Sequence, residues 1–366
     1  MATAAVTPRN LRVTGHREVA RLGARDDGIT IFLGLWLMAG VFIDGWAHNS
    51  RTLVESFFTP WHAILYAGYA ASSAWLCWLL LAQRRAGRIG LAAIPLGYGL
   101  GFVGALIFGL GGLGDMVWHI AFGVEVGLEQ LLSPTHLLLF IGVLLILTSP
   151  FRSAWASPDT ASPPTLRGLL PALLALTAAV SATSFICAYL WAIISDASSV
   201  ELVRFYTGRA DGSRLLGLSQ RSGVSSILLT NGVLIAPLLL ALRRWLLPFG
   251  SVTLLFTMNT ILMNVLEGFA FTERILVALV AGIAADALIR TLRPTFDRPL
   301  AMRLFAGLVP LIFWGLFFLA SWLRRGIGWP PELWTGAIVL SVLSGLGLSL
   351  LLVPPALPES QQAATS

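Results

Sequence analysis

The sequence predicts an all-α, polytopic membrane protein of about ten transmembrane helices, with a duplicated helical hairpin within the first four. Three observations carry this. The 366-residue chain is 56% hydrophobic and 11% charged, with a mean hydropathy of +0.80, a balance suited to lipid. Its apolar residues fall into runs close to the ~20 needed to cross ~30 Å of hydrocarbon. Its charges gather between those runs. A soluble multidomain enzyme is excluded, and so are overall disorder and nucleic-acid binding. The expected partner is the lipid bilayer.

Residues 1–27 hold Arg9, Arg12, Arg17, Arg21 and Arg25 with no apolar core before residue 30, so they read as a retained cytoplasmic tail and not as a signal peptide. Apolar runs follow at about 28–47, 61–82, 92–121 and 134–150, a four-helix unit spanning 28–150. A Ser- and Pro-rich stretch at 151–167 reads as a cytoplasmic linker. Six further runs, at about 168–195, 224–242, 246–267, 272–292, 301–323 and 333–354, make a membrane region over 168–354, and 355–366 reads as a disordered tail.

All 24 basic residues are Arg, and the connections that a cytoplasmic amino terminus would place inside hold ten of them: Arg84, Arg85 and Arg88, then Arg152 and Arg167, then Arg243 and Arg244, then Arg290, Arg293 and Arg298. The expected location is a bacterial plasma membrane. The connection 196–223 runs against the pattern with Arg204, Arg209, Arg214 and Arg221, but long loops translocate largely regardless of charge. Cys77 and Cys187 lie inside apolar runs and read as buried thiols with no disulfide framework.

The first two outward hairpins match. One reads Asp44-Gly-Trp-Ala-His48, then Glu55-Ser-Phe-Phe-Thr-Pro-Trp-His62, and reaches Gly68; the other reads Asp115-Met-Val-Trp-His119, then Glu129-Gln-Leu-Leu-Ser-Pro-Thr-His136, and reaches Gly142. The second connection is three residues longer. Internal duplication is the economical explanation. Each Asp and His four apart share a helix face. Thr59 and Ser133 fit N-caps, Pro60 and Pro134 fit first helical positions, and His62 and His136 then fall in the opening turn. There the helix dipole favours neutral imidazole, the form that coordinates a metal.

Asp at membrane depth costs roughly 2–3 kcal/mol or more and normally has a partner. Four of the five histidines occupy the matched positions, the exception being His16 in the tail. Two His with one carboxylate suit a transition metal, whereas Mg or Ca would call for oxygen ligands. Copper, zinc and iron all accept imidazole. A bis-histidine haem b is the competing cofactor, and it leaves the two aspartates unexplained. The expected metal residues are Asp44, His48, His62, Asp115, His119 and His136, with Glu55, Glu129 and Glu267 as surrounding groups or proton carriers. Glu267 could equally pair with Arg274, and Asp286 reads as the partner of Arg290 one turn on. Trp46, Trp61, Trp118, Trp329 and Trp334 read as an aromatic belt, and the glycines of the third run as packing positions. There is no phosphate loop, nucleophile elbow or HExxH motif.

Over about residues 40–142, the Asp-x3-His followed some thirteen positions later by His resembles the copper-ligand pattern in the C subunit of copper membrane monooxygenases, the particulate methane and ammonia enzymes. That family also carries a second, related site with Asn for Asp. The resemblance implies one copper site at Asp44, His48 and His62, another at Asp115, His119 and His136, and companion membrane subunits. The function expected is an integral membrane metalloprotein, with copper favoured, that activates oxygen or a small substrate. The rivals are a metal-handling protein, for transport or for delivery with a metallochaperone, and a haem electron-transfer protein.

Overall fold

The computed structural model describes residues 20–50, 57–123, 127–157 and 164–354. Among these the chain is all-α, its one strand-like pairing an isolated bridge between Ser199 and Ile327. The helices are α1 (Ala24–Ser50), α2 (Pro60–Arg85), α3 (Gly99–Phe122), α4 (Glu129–Leu132), α5 (Pro134–Leu147), α6 (Ser149–Ala156), α7 (Leu166–Ile186), α8 (Val200–Thr207), α9 (Gly212–Arg244), α10 (Ser251–Leu266), α11 (Glu273–Leu292), α12 (Pro299–Arg325) and α13 (Pro331–Leu352).

Every predicted run is helical, but among the described residues eight helices, not ten, are individually long and apolar enough to cross a membrane. The fourth run bends by 40° between α5 and α6, and counts as a ninth span only if the bent pair is one crossing. At the bend, the Arg152 guanidinium reaches back to Leu145 O (2.7 Å) and Ser149 Oγ (3.0 Å). The seventh run, α10, has 16 residues, about 24 Å of helix at 1.5 Å per residue.

Other boundaries move for local reasons. The third run becomes helical only at Gly99, after a turn in which Gly97 takes φ +84°. The fifth stops at Ile186 because residues 187–199 coil around Arg274. Its guanidinium donates to Ala192 O, Ile193 O and Ser195 O at 2.8–2.9 Å. The sixth begins twelve residues early, so the connection 196–223 is largely helical, in α8 and the first turns of α9.

In the first four runs, α1 pairs with α2 and α3 with α5, while α7 and α10 pack against α1. Lipid supplies no hydrophobic drive between helices, so close backbone approach has to hold each pair. The matched glycines provide it. A Cβ on Gly68 would lie 2.7 Å from the backbone of Leu37, and one on Gly142 would lie 2.7 Å from the backbone of Phe108. Leu37 and Phe108 each stand seven residues before their hairpin's aspartate, so equivalent positions make equivalent contacts.

Three further expectations change. Cys77 is exposed on the outside of α2, and Cys187 is half-buried at the end of α7. Trp329 is buried against Phe318 rather than placed in a boundary belt. Asp286 does not take Arg290. It accepts Val252 N (3.0 Å), Thr253 N (3.1 Å) and Thr253 Oγ1 (2.6 Å), capping the first turn of α10 from the neighbouring helix. Arg290 lies over the Phe249 ring instead.

Candidate metal centre

Each triad is assembled by one hairpin. Asp44 and His48 come from the last turns of α1, and His62 from the first turn of α2; Asp115 and His119 come from the end of α3, and His136 from the first turn of α5. The caps form as the residue types dictate. Thr59 Oγ1 accepts from His62 N at 3.2 Å and Ser133 Oγ from His136 N at 3.4 Å, with Pro60 and Pro134 leading the helices.

Within each triad one potential ligand atom per residue lies within 4.8 Å of the others. Both carboxylates divide their oxygens between two imidazoles. Asp44 Oδ1 is 3.3 Å from His62 Nε2, and Oδ2 is 3.8 Å from His48 Nε2. Asp115 Oδ1 is 3.2 Å from His136 Nε2, and Oδ2 is 3.5 Å from His119 Nε2. Asp115 and His119 are buried, as is His62.

The other ring nitrogens show which way the imidazoles are held. His62 Nδ1 donates to Phe57 O at 2.5 Å, and His119 Nδ1 donates to Gly123 O at 3.3 Å. For His136 the proton inventory decides. Thr135 Oγ1 gives its only proton to Asp115 Oδ1 (2.9 Å), so Ser133 donates across its 3.2 Å contact to Thr135 and accepts from His136 Nδ1 at 2.9 Å. In neutral imidazoles this leaves an Nε2 lone pair facing a carboxylate oxygen. A carbonyl on the far ring nitrogen is how metal-binding histidines are usually oriented.

The spacing fits an ion. Metal–nitrogen and metal–oxygen bonds of about 2.0–2.2 Å, opened to a roughly tetrahedral angle, put N and O about 3.4 Å apart. A charge-assisted hydrogen bond would close to about 2.7–2.9 Å. In addition, the buried Asp44 Oδ1 has no aligned hydrogen-bond donor among the described residues. No family model, curated protein or solved structure matches this chain.

The two triads adjoin one cavity of about 130 Å³. Asp44, His48, His62, Asp115 and His136 line it, and its remaining wall is largely apolar: Leu65, Phe108, Phe140 and Val143 from the hairpins, with Ala182, Phe185 and Leu266 from α7 and α10. The six-helix region thus supplies one side of the cavity.

Two of the three glutamates, Glu129 and Glu267, stand apart from the triads. Glu129 is exposed at the start of α4, where the next residue, Gln130, lines the cavity instead. Glu55 lies outside the described residues. Glu267 is exposed at the end of α10 and does not pair with Arg274, whose carboxylate partners are Asp196 (3.0 Å) and Glu273 (3.9 Å). Trp61 and Trp118 do not line the cavity.

Sequence reasoning passed over four contributors. Thr135 donates to Asp115; its hydroxyl within Ser-Pro-Thr-His was the available signal. Asn49, whose amide donates to Leu266 O at 3.3 Å, ties α1 to α10 beside the cavity. Gln130 and Tyr66 line it, Tyr66 one turn beyond His62. No spacing rule flags these three.

Proposed function

We propose that this chain is an integral membrane metalloprotein that holds transition-metal ions at Asp44, His48, His62 and at Asp115, His119, His136, with copper favoured. The single observation that carries the reading is the convergence, in both hairpins, of two imidazole Nε2 atoms on one carboxylate at 3.2–3.8 Å, half-buried at Asp44 and buried at Asp115. A nitrogen-rich set with one carboxylate suits copper, zinc or iron, and the resemblance to copper membrane monooxygenases favours copper. The repeated contacts support a duplicated hairpin.

The ion would supply Lewis acidity and, if copper or iron, electron transfer to a small bound molecule. The protein's own groups do the rest. Phe57 O, Gly123 O and Ser133 Oγ hold three imidazoles in register, Thr135 fixes the Asp115 carboxylate, and the apolar wall keeps bulk water from the ligands. That wall supports activation of oxygen or another small substrate, a monooxygenase-like oxidoreductase role. Delivery to a metallochaperone is the second reading, but the burial of Asp115 and His119 weighs against direct handover to a soluble partner. A cavity of about 130 Å³ is small for a porphyrin, since pockets for drug-sized ligands run to about 300–1,000 Å³. The site would face outward across a bacterial plasma membrane, with the amino terminus inside and other membrane subunits alongside.

Metal analysis of detergent-purified wild type beside a His62→Ala/His136→Ala double variant tests the proposal. Wild type should retain copper or another transition metal, and the double variant should lose most of it. Equal content in both, with each folded, would end the ligand assignment. Haem absorbance in wild type would transfer the reading to electron transfer.

A further inference from the structure

At the end of the bundle away from the triads, two six-residue turns lie side by side: residues 245–250 between α9 and α10, and 293–298 between α11 and α12. Leu266 lines the cavity at one end of α10, so Ser251 at its other end stands about 22 Å away along the helix. The turns clasp each other reciprocally. Arg243, at the end of α9, places its guanidinium 5.4 Å from the centre of the Phe296 ring in the second turn. Arg290, at the end of α11, lies 4.5 Å from the centre of the Phe249 ring in the first. Both phenyl rings are themselves exposed, at 41% and 47%.

Positive charge here is in excess. Arg243 and Arg290, with Arg293 and Arg298 in the second turn, are exposed, and none forms an ion pair with a carboxylate among the described residues. Asp286 is turned inward, its oxygens taken by the α10 cap. Asp297 is the one acidic residue in the two turns. Four guanidiniums therefore share a small surface with two outward-facing rings, at the level where membrane-crossing helices end. The stacking matters because it holds two of these flexible side chains in place before any ligand arrives, which lowers the ordering cost of binding.

We propose that this surface is a binding site for the headgroup of an anionic phospholipid. The phosphodiester is bridged by Arg243 and Arg290, Arg293 and Arg298 add attraction, and the acyl chains lie along Phe249 and Phe296. Arginine suits a phosphate better than a point charge would, since its planar fork matches two oxygens at once. A basic surface between helix ends is the usual protein side of such recognition. The site is independent of the metal triads.

The test is native mass spectrometry of the full chain in detergent, titrated with phosphatidylglycerol or with phosphatidylcholine of the same chain length. Wild type should bind phosphatidylglycerol at least about five-fold more tightly, the size of effect expected per arginine near an anionic lipid surface. Arg243→Gln/Arg290→Gln should bring the ratio near one. Arg84→Gln/Arg85→Gln, which removes equal charge from the end of α2, should leave it unchanged. A preference that survives the first variant, or that falls equally in the second, overturns the proposal. So does displacement of the lipid by an equal concentration of inorganic phosphate, which would mark a free-anion site. If the first variant fails to fold, Arg293→Gln/Arg298→Gln serves, because those guanidiniums have no protein partner among the described residues; it should lower the ratio at least two-fold, and an unchanged ratio overturns the proposal.

Discussion

The His62 and His119 rings, contributed by different hairpins, lie 6.4 Å apart between centres. That is scarcely more than the separations within the hairpins, 6.1 Å for His48 to His62 and 5.9 Å for His119 to His136. Four imidazoles thus form a chain of ring neighbours, three of which line the common cavity. Ions in the two triads would be neighbours rather than isolated centres.

The first prediction follows from that arrangement. Protein loaded with cupric ion should show magnetic coupling between two ions by electron paramagnetic resonance. His48→Ala should leave about half the metal and a spectrum of uncoupled copper. A wild-type spectrum of isolated ions at full loading would contradict the shared site.

Thr135 should tune only the second triad. Its hydroxyl is the donor that fixes Asp115 Oδ1, and removing such an orienting group typically lowers metal affinity about 10–100-fold. Thr135→Val should therefore release metal from one triad under a chelator competition that leaves the other loaded. Equal release from both would show that the hydroxyl has no such role.

Arg274 organises the end of the six-helix region formed by residues 187–199 and the start of α11. It is 3% exposed, donates to three carbonyls of the coiled segment 187–199, pairs with Asp196, and lies against Phe271 and Phe317. Arg325 meets the same aspartate. Removing one partner of a buried pair commonly costs about 3–5 kcal/mol. Arg274→Leu should lower the unfolding temperature in detergent far more than Arg324→Leu, the neighbouring arginine that makes no comparable network among the described residues.

Gly142 should tolerate no larger residue. A Cβ there meets the Phe108 backbone, which cannot move without parting α3 from α5. Gly142→Val should destabilise by about 1–3 kcal/mol, the usual cost of overpacking, and should reduce metal content with it. Gly232→Val, at a position where a Cβ meets nothing within 4 Å, is the control and should change neither reading.

Much of this site was legible from residue types alone. Asp-x3-His on a helix must place both side chains on one face, and Thr or Ser before Pro must start the next helix near the histidine that follows. Those are local rules, and the triads obey them. Glu129 and Glu267 stand outside the cavity because residues at helix ends answer to no period. Glu129 and Gln130 differ by one position in a short helix, and only the path of the chain decides which of them faces the cavity.

Asp286 and Arg290 show the same boundary from the other side. Their spacing permits an ion pair, yet the carboxylate serves three donors at the start of α10, whose unpaired backbone N–H groups make the stronger claim on a buried acceptor. Nothing in a one-dimensional pattern announces that the first turn of α10 lies against the middle of α11.

The sequence by itself determined the solvent, the helical runs and the membership of each triad, because hydropathy and helical periodicity act over a few turns of one chain segment. The tertiary structure alone decided that the two triads border one cavity, that α7 and α10 supply its apolar wall, and that residues 187–199 leave the helix to surround Arg274. Those outcomes depend on which helix faces approach each other, and that is settled by shape and backbone contact between segments far apart in the chain.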